Sequence, residues 1–211
     1  MADVPVHPLG RLRIAAGFSG GQLIMYNREG TPLWKAFIGE FPMVLEIDAD
    51  YNVYAAGKNR ELFSFDVNGN LRWRRRIANH VVSAGANNMS ADGKLIVLGT
   101  VGGWVYAFDN AGEIAWQRPV PGGLQGHNAL DVTPDGTWIV VGTAGTEEGG
   151  GVVLYDRNGT LLSSHHSEDR REAGQYDHNQ TGAFTVAISD DGSRIVAGYG
   201  DSVIRIFERE R

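Results

Sequence analysis

The sequence predicts an all-β chain made of five consecutive antiparallel units, and three observations carry that expectation. The first is the stretch Gly103–Trp116, GWVYAFDNAGEIAW. In it Trp104, Tyr106 and Phe108 alternate with Val105 and Ala107, the period of a strand covered on both faces by apolar groups. Asp109-Asn110-Ala111-Gly112 then reads as a turn, because Asx side chains bond their own backbone and glycine accepts positive φ. A second strand follows over Glu113–Val120. The second observation is recurrence. Tyr26-Asn27-Arg28-Glu29-Gly30 leads to Trp34, Phe65-Asp66-Val67-Asn68-Gly69 to Trp73, and Tyr155-Asp156-Arg157-Asn158-Gly159 to Leu162-Ser163, where the tryptophan is missing. The third is a shorter element before each copy, a turn and then a small apolar strand. Asp135-Gly136 leads to Trp138–Gly142, Asp92-Gly93 to Leu95–Gly99, Asp191-Gly192 to Arg194–Gly198, Asp50-Tyr51-Asn52 to Val53–Gly57, and Leu9-Gly10 to Arg13–Gly17. Units of four antiparallel strands, repeating about every 40 residues, are the signature of a β-propeller with one blade per unit.

In chain order the blades fall at residues 2–37, 43–77, 81–120, 127–163 and 182–208, forming one domain over 1–211. We call their strands a to d, from innermost to outermost. The first blade has a short strand a with Pro5 and Pro8, and proline cannot donate to a ladder. Strands a of the later blades are expected at Val44–Ile47, Ala84–Met89, Ala129–Val132 and Phe184–Ile188. Blade two carries Arg72, Arg74, Arg75 and Arg76 around Trp73 on its outer strand, a basic run that reads as a solvated edge. Blade five lacks strand d, so Val203–Glu208 is expected as an open edge. The N-terminal residues align with an inner strand of blade one. The alternative is that residues 2–8 pair beside 203–208 and close the ring by strand exchange.

Composition narrows the function classes. Gly at 29 of 211 residues suits a turn-dense fold. The net charge of 19 − 25 = −6 argues against nucleic acid as partner. With no cysteine, thiol catalysis, disulfides and cysteine-based zinc sites are excluded. No apolar run is long enough for a transmembrane helix, and no signal segment is legible at the N-terminus. The compartment is therefore cytoplasmic if Met1 is native, and extracytoplasmic if a signal was trimmed.

The pattern Gly-x-Val-Tyr-Ala-Phe-Asp-x-x-Gly-x-x-x-Trp at Gly103–Trp116 resembles the quinoprotein-type, PQQ-like repeat, as do the copies at 22–34 and 61–73. Thr133-Pro134-Asp135-Gly136 also resembles WD-repeat propellers. The resemblance implies a propeller across nearly the whole chain. Quinoprotein dehydrogenases hold their cofactor and calcium with dedicated acidic, Asn and Arg residues, often beside a vicinal cysteine pair. No segment here matches those positions, so the resemblance implies no cofactor and no metal for this chain.

Function is then expected on loops. Two connections are expanded, the b–c turn of blade four (143–151) and the segment between blades four and five (164–181), and the topology puts both on one face. Candidate binding residues there are Glu147, Glu148, Arg170, Arg171, Tyr176 and His178, with His127 and His80 at neighbouring starts of strand a. Three converging histidines could hold a divalent ion, but no ligand spacing supports it. Asp48-Ala49-Asp50 and Asp190-Asp191 read as turn residues. The expectation is a non-enzymatic interaction module or assembly subunit that binds a protein partner through that face, with edge pairing through 203–208. The alternatives are a lectin-like, sugar-binding propeller and an enzyme with a site at the channel mouth. The b–c turns Ser19-Gly20-Gly21, Lys58-Asn59-Arg60 and Val101-Gly102 differ between blades, against the lectin reading.

Overall fold

The computed structural model describes residues 12–77, 82–120, 124, 129–143, 151–166 and 182–209. They form five antiparallel sheets in sequence order and no helix. Blade one holds β1 (Arg13–Gly17), β2 (Gln22–Asn27) and β3 (Pro32–Phe37). Blade two holds β4 (Pro42–Ile47), β5 (Val53–Gly57), β6 (Glu61–Phe65) and β7 (Leu71–Arg76). Blade three holds β8 (Val82–Met89), β9 (Ile96–Thr100), β10 (Trp104–Phe108) and β11 (Ile114–Pro119). Blade four holds β12 (Leu130–Val132), β13 (Trp138–Gly142), β14 (Gly151–Asp156) and β15 (Leu161–His166). Blade five holds β16 (Ala183–Ile188), β17 (Arg194–Tyr199) and β18 (Ile204–Glu208). Each sheet is a meander, neighbours in sequence being neighbours in space, so the array is propeller-like. Residues 2–8, on which the inner strand of blade one and the strand-exchange alternative both rest, lie outside the described residues. Among the described residues blade five has three strands, with β18 at its edge.

The turns explain why these segments fold as hairpins. In the c–d turn of blade two, Asp66 Oδ1 accepts the amides of Asn68 and Asn70 at 2.9 and 2.8 Å, and Gly69 N bonds back to Asp66 O. Asp109 and Asp156 do the same in blades three and four. In blade one, Asn27 Oδ1 accepts Thr31 N at 2.8 Å. The a–b turns use a second device. Ser90, Thr133 and Ser189 each donate a hydroxyl at 2.7 Å to the aspartate two residues on, Asp92, Asp135 and Asp191. Their partners hold the Asp92 and Asp135 carboxyls down at about 2: for Asp92 Lys94 first, then Ser90, and for Asp135 Thr137 first, then Thr133. The residue that follows is glycine at φ 64°, 70° and 67°. In blade two Tyr51 occupies that place at φ 64°, a left-handed backbone that costs a non-glycine residue about 1 kcal/mol.

Successive blades pack face to face. One apolar cluster joins blade one to two (Leu23, Met25 and Ile38 against Val53, Ala55, Phe63 and Phe65). Others join two to three (Tyr54 and Leu62 against Leu98, Tyr106 and Phe108), three to four (Val105 and Trp116 against Ile139 and Tyr155), and four to five (Val140 and Leu154 against Val186 and Ile195). Among the described residues no such cluster joins blade five to blade one.

The outer-strand tryptophans lock three of these joints. Trp34 donates its indole N–H to Val67 O at 3.1 Å, Trp73 to Asn110 O at 2.9 Å and Trp116 to Arg157 O at 2.8 Å. Each acceptor lies two residues before the turn glycine of the following blade. The indole faces lie so close to Gly69, Gly112 and Gly159 that a Cβ built there would sit 2.6–2.7 Å from the ring. Those glycines are therefore required twice, for φ of 85°, 80° and 74° and for the approach of the ring. Trp34, Trp73 and Trp116 thus occupy equivalent places between blades, as the repeat predicts.

Candidate functional site

The eight residues singled out by sequence, His80, His127, Glu147, Glu148, Arg170, Arg171, Tyr176 and His178, all lie outside the described residues. The roots of the two expanded loops lie within them and meet at one residue. Thr143 N donates to Gly151 O at 2.9 Å, Gly151 N donates to Thr143 Oγ1 at 2.9 Å, and Ala183 N donates to Thr143 O at 3.0 Å. Gly151 also pairs in register with His166. Residues 143, 151, 166 and 183, which bracket the loops 144–150 and 167–182, are thus tied together at the seam of blades four and five. Thr143 is buried, and Gly142 is fixed by the approach of Ala183 O, which a Cβ would meet at 2.5 Å. Three hydrogen bonds at Thr143 join the platform, and at Gly142 there is no room for a side chain.

A second feature was not singled out by the sequence reading. The inner strands carry polar residues that find each other across blades. Asn87 of β8 donates to Glu46 Oε1 of β4 at 2.5 Å, and its neighbour Asn88 donates to Asp131 Oδ1 of β12 at 2.5 Å. Asp131 Oδ1 also accepts Val132 N, and Asp131 Oδ2 accepts Ile188 N of β16, both at 2.9 Å. Adjacent asparagines on one strand face opposite neighbours because successive strand side chains alternate in direction. The result is a polar line through the inner strands of blades two to five. Burial is the main reason the Glu46 carboxyl is pushed up from 4.5 to about 7; the bond from Asn87 works against it and the Asp131 charge adds to it. The signal in sequence was polar residues inside three apolar inner strands, Glu46 in PMVLEI, Asn87-Asn88 before Met89, and Asp131 in LDV.

The basic run on β7 is largely satisfied within the chain. Arg74 pairs with Glu61 at 2.6 Å, Arg75 with Glu113 at 2.6 Å, and Arg72 donates to Tyr54 Oη at 3.1 Å and Ser64 Oγ at 3.2 Å. Asp48 serves its own turn, accepting Asp50 N, Asn52 N, Asn52 Nδ2 and the Tyr54 hydroxyl. Among the described residues no group of three or more His, Asp or Glu gathers as a metal site, and no helix is long and apolar enough to cross a membrane.

Residues 19–208 match the model of the PQQ-repeat family described as outer membrane protein assembly factor BamB. The chain belongs to that family. The match runs from β2 of the first sheet to β18 of the fifth, so the PQQ-like resemblance of Gly103–Trp116 extends to the repeats around it. No curated protein matches the chain. Membership of the family identifies a repeat architecture of the kind commonly used for interaction or assembly, and names no reaction.

Proposed function

We propose that the chain is a non-enzymatic interaction module, a subunit or docking domain of a larger protein assembly, that engages its partner through loops 143–151 and 164–181. One observation carries the reading: both loops spring from the hydrogen-bonded Thr143 node, so residues from the two loops would be presented from one base. Membership of a family whose model is described by an assembly factor supports it. The acidic and basic residues in the two loops, Glu147, Glu148, Arg170 and Arg171, would supply a rim of mixed charge, with Tyr176 as an aromatic anchor.

The test is affinity capture from native extract with the full chain, beside a variant whose residues 144–150 are replaced by a two-residue Asn-Gly turn. The reading requires a partner that the full chain retains and the shortened variant loses, with both proteins equally stable. Equal capture by both removes loop 143–151 from the interface.

A second reading is favoured by one observation, the Glu46 carboxyl that stays protonated to about 7. A perturbed acid is a candidate proton donor. Its described neighbours are an amide and the Asp131 carboxyl, which form a structural line between blades. Glu46→Gln would therefore leave partner capture unchanged.

A further inference from the structure

The a–b turn of blade two differs from those of blades three, four and five. In those three a serine or threonine hydroxyl holds the turn aspartate, and glycine takes the left-handed place that follows. In blade two Asp48 stands where the hydroxyl residue would be and caps the turn itself, accepting Asp50 N at 3.0 Å and Asn52 N at 2.9 Å. The Asp50 carboxylate is thereby released from its turn, and among the described residues it has neither an ion pair nor a hydrogen bond. The left-handed place belongs to Tyr51, at φ 64°. Backbone strain of that kind gathers at ligand-binding positions.

The same turn also has room beside it. In blade four Arg157, two residues before the turn glycine, reaches from the c–d turn to the a–b turn and donates to Asp135 O at 3.0 Å. Val67 holds that place in blade two and is too short to span the gap. A cleft of about 460 Å³ opens there between blades one and two, a volume of the order that holds small molecules. Asp50 and Tyr51 line it from blade two, and Leu12, Arg13 and Leu33 from blade one. Leu12 and Leu33 are large apolar side chains left about half-exposed. Arg13 Nη1 donates to Val67 O at 2.7 Å, and its guanidinium carbon lies 5.3 Å from the centre of the Tyr51 ring. These contacts orient the planar group, and among the described residues its other donors are uncommitted.

The cleft therefore offers a cation and an anion that do not pair with each other, beside an aromatic ring and two leucines. A ligand with one charge satisfies one wall and opposes the other, and a neutral ligand answers neither. A small bipolar molecule with an apolar body answers all of them.

We propose that this cleft binds a free α-amino acid with an apolar side chain. Its ammonium group bonds to Asp50, its carboxylate to Arg13, and its side chain lies against Tyr51, Leu12 and Leu33. In a meander the a–b and c–d turns lie at the end opposite the b–c turn, so this site stands apart from loop 143–151 and is tested independently of partner capture.

The experiment titrates the isotope-labelled full chain with L-phenylalanine and follows the backbone amide signals. The expected result is saturable displacement of Arg13, Asp50 and Tyr51 at millimolar ligand or below, with Thr143 and Gly151 unmoved. N-acetyl-L-phenylalanine lacks the ammonium group and phenethylamine lacks the carboxylate. Each should bind at least about tenfold more weakly, the loss of one charged contact. Asp50→Asn should weaken phenylalanine binding by a similar factor and leave N-acetyl-L-phenylalanine unaffected, a split that a purely structural role would not produce. Tyr51→Gly keeps the turn with the residue that blades three to five use there, and should also weaken binding. Absence of saturable displacement at these residues overturns the inference. Equal binding of phenylalanine and either one-charge analogue does so too, as does equal binding of methyl glucoside, which would make the cleft a site for neutral polyols. Displacement confined to other blades, or undiminished phenylalanine binding by Asp50→Asn, has the same consequence.

Discussion

Blades three and four meet through an indole; blades four and five do not. At the first joint Trp116 is buried, tilts against Tyr155 at 5.9 Å and donates to Arg157 O. At the second, the register place of the tryptophan on β15 is taken by Ser163, and the blade that would receive it has no c–d turn in the described residues. Smaller contacts replace it. His165 stacks on Phe207 at 4.8 Å, Arg209 lies over the Trp138 ring at 3.7 Å, and Trp138 presses on Gly192. The sequence change and the structural change are thus one event: an outer-strand tryptophan is present where the following turn glycine is present to receive it. The exposed Ile204 and Ile206, at 72 % and 65 %, mark where that logic stops.

The largest effect expected from this contrast is loss of the indole itself. Trp116→Ala should cost about 3–4 kcal/mol in urea unfolding, as large-to-small changes at buried aromatic positions do. Trp73→Ala should cost less, about 2 kcal/mol, because that indole is only half-buried. Ser163→Ala, at the tryptophan-free position, should stay within about 1 kcal/mol. Comparable losses at Trp116 and Ser163 would erase the distinction between the two joints.

Next comes the pH dependence of the polar line that crosses both joints. Glu46 titrates near 4.5 when unfolded and near 7 in the fold. Between those values the native state binds the extra proton, so stability is full below about 4.5 and falls as pH rises to 7. The fall should be on the order of 2 kcal/mol after allowance for partial solvent screening. Glu46→Gln should flatten that window and leave the acid limb below pH 4, where Asp92 and Asp135 titrate, unaltered. A wild-type and variant pair with parallel curves between pH 4.5 and 7 would show that the carboxyl is not held protonated.

The smallest effect belongs to the substitute contacts. Arg209→Ala should cost about 0.5–1 kcal/mol, the scale of an exposed cation–π pair. Arg75→Ala, which removes an exposed ion pair with Glu113, should cost no more. A loss above about 2 kcal/mol at Arg209 would mean that blade five hangs on it, as blade four hangs on Trp116.

The sequence carried most of the sheet order and little of the site. Turn chemistry is local: Asp66, Asp109 and Asp156 bond amides two and four residues on, so the hairpins were legible from Asp-x-x-Gly spacing alone. The tryptophans were legible as equivalent positions, but not as ligands of the next turn, since Trp34 and Val67 are 33 residues apart. The polar line escaped for the same reason. Asn87 and Glu46 are 41 residues apart, and no periodicity within one strand announces a partner on another. The Tyr51 turn was placed correctly by analogy with Asp-Gly, although only the backbone reveals that a tyrosine there takes up the left-handed conformation. The proposed loop residues sit in segments of 144–150 and 167–181 outside the described residues, where only the loop roots bear on the proposal.

The central claim is that one glycine–indole contact, repeated, holds the blades in line, and Gly112 and Gly30 offer its most direct test. Both have φ near 80°, but a Cβ at Gly112 meets Trp73 at 2.7 Å and one at Gly30 meets nothing within 4 Å among the described residues. Gly30→Ala should cost about 1 kcal/mol, the backbone strain alone, and Gly112→Ala about 3 kcal/mol, the strain plus a displaced ring. Measured again in a Trp73→Ala background, Gly112→Ala should fall to the Gly30 value, a coupling of about 2 kcal/mol in a double-mutant cycle. An undiminished cost for Gly112→Ala without the indole would show that the glycine serves only its turn, and the account of the joints would fail.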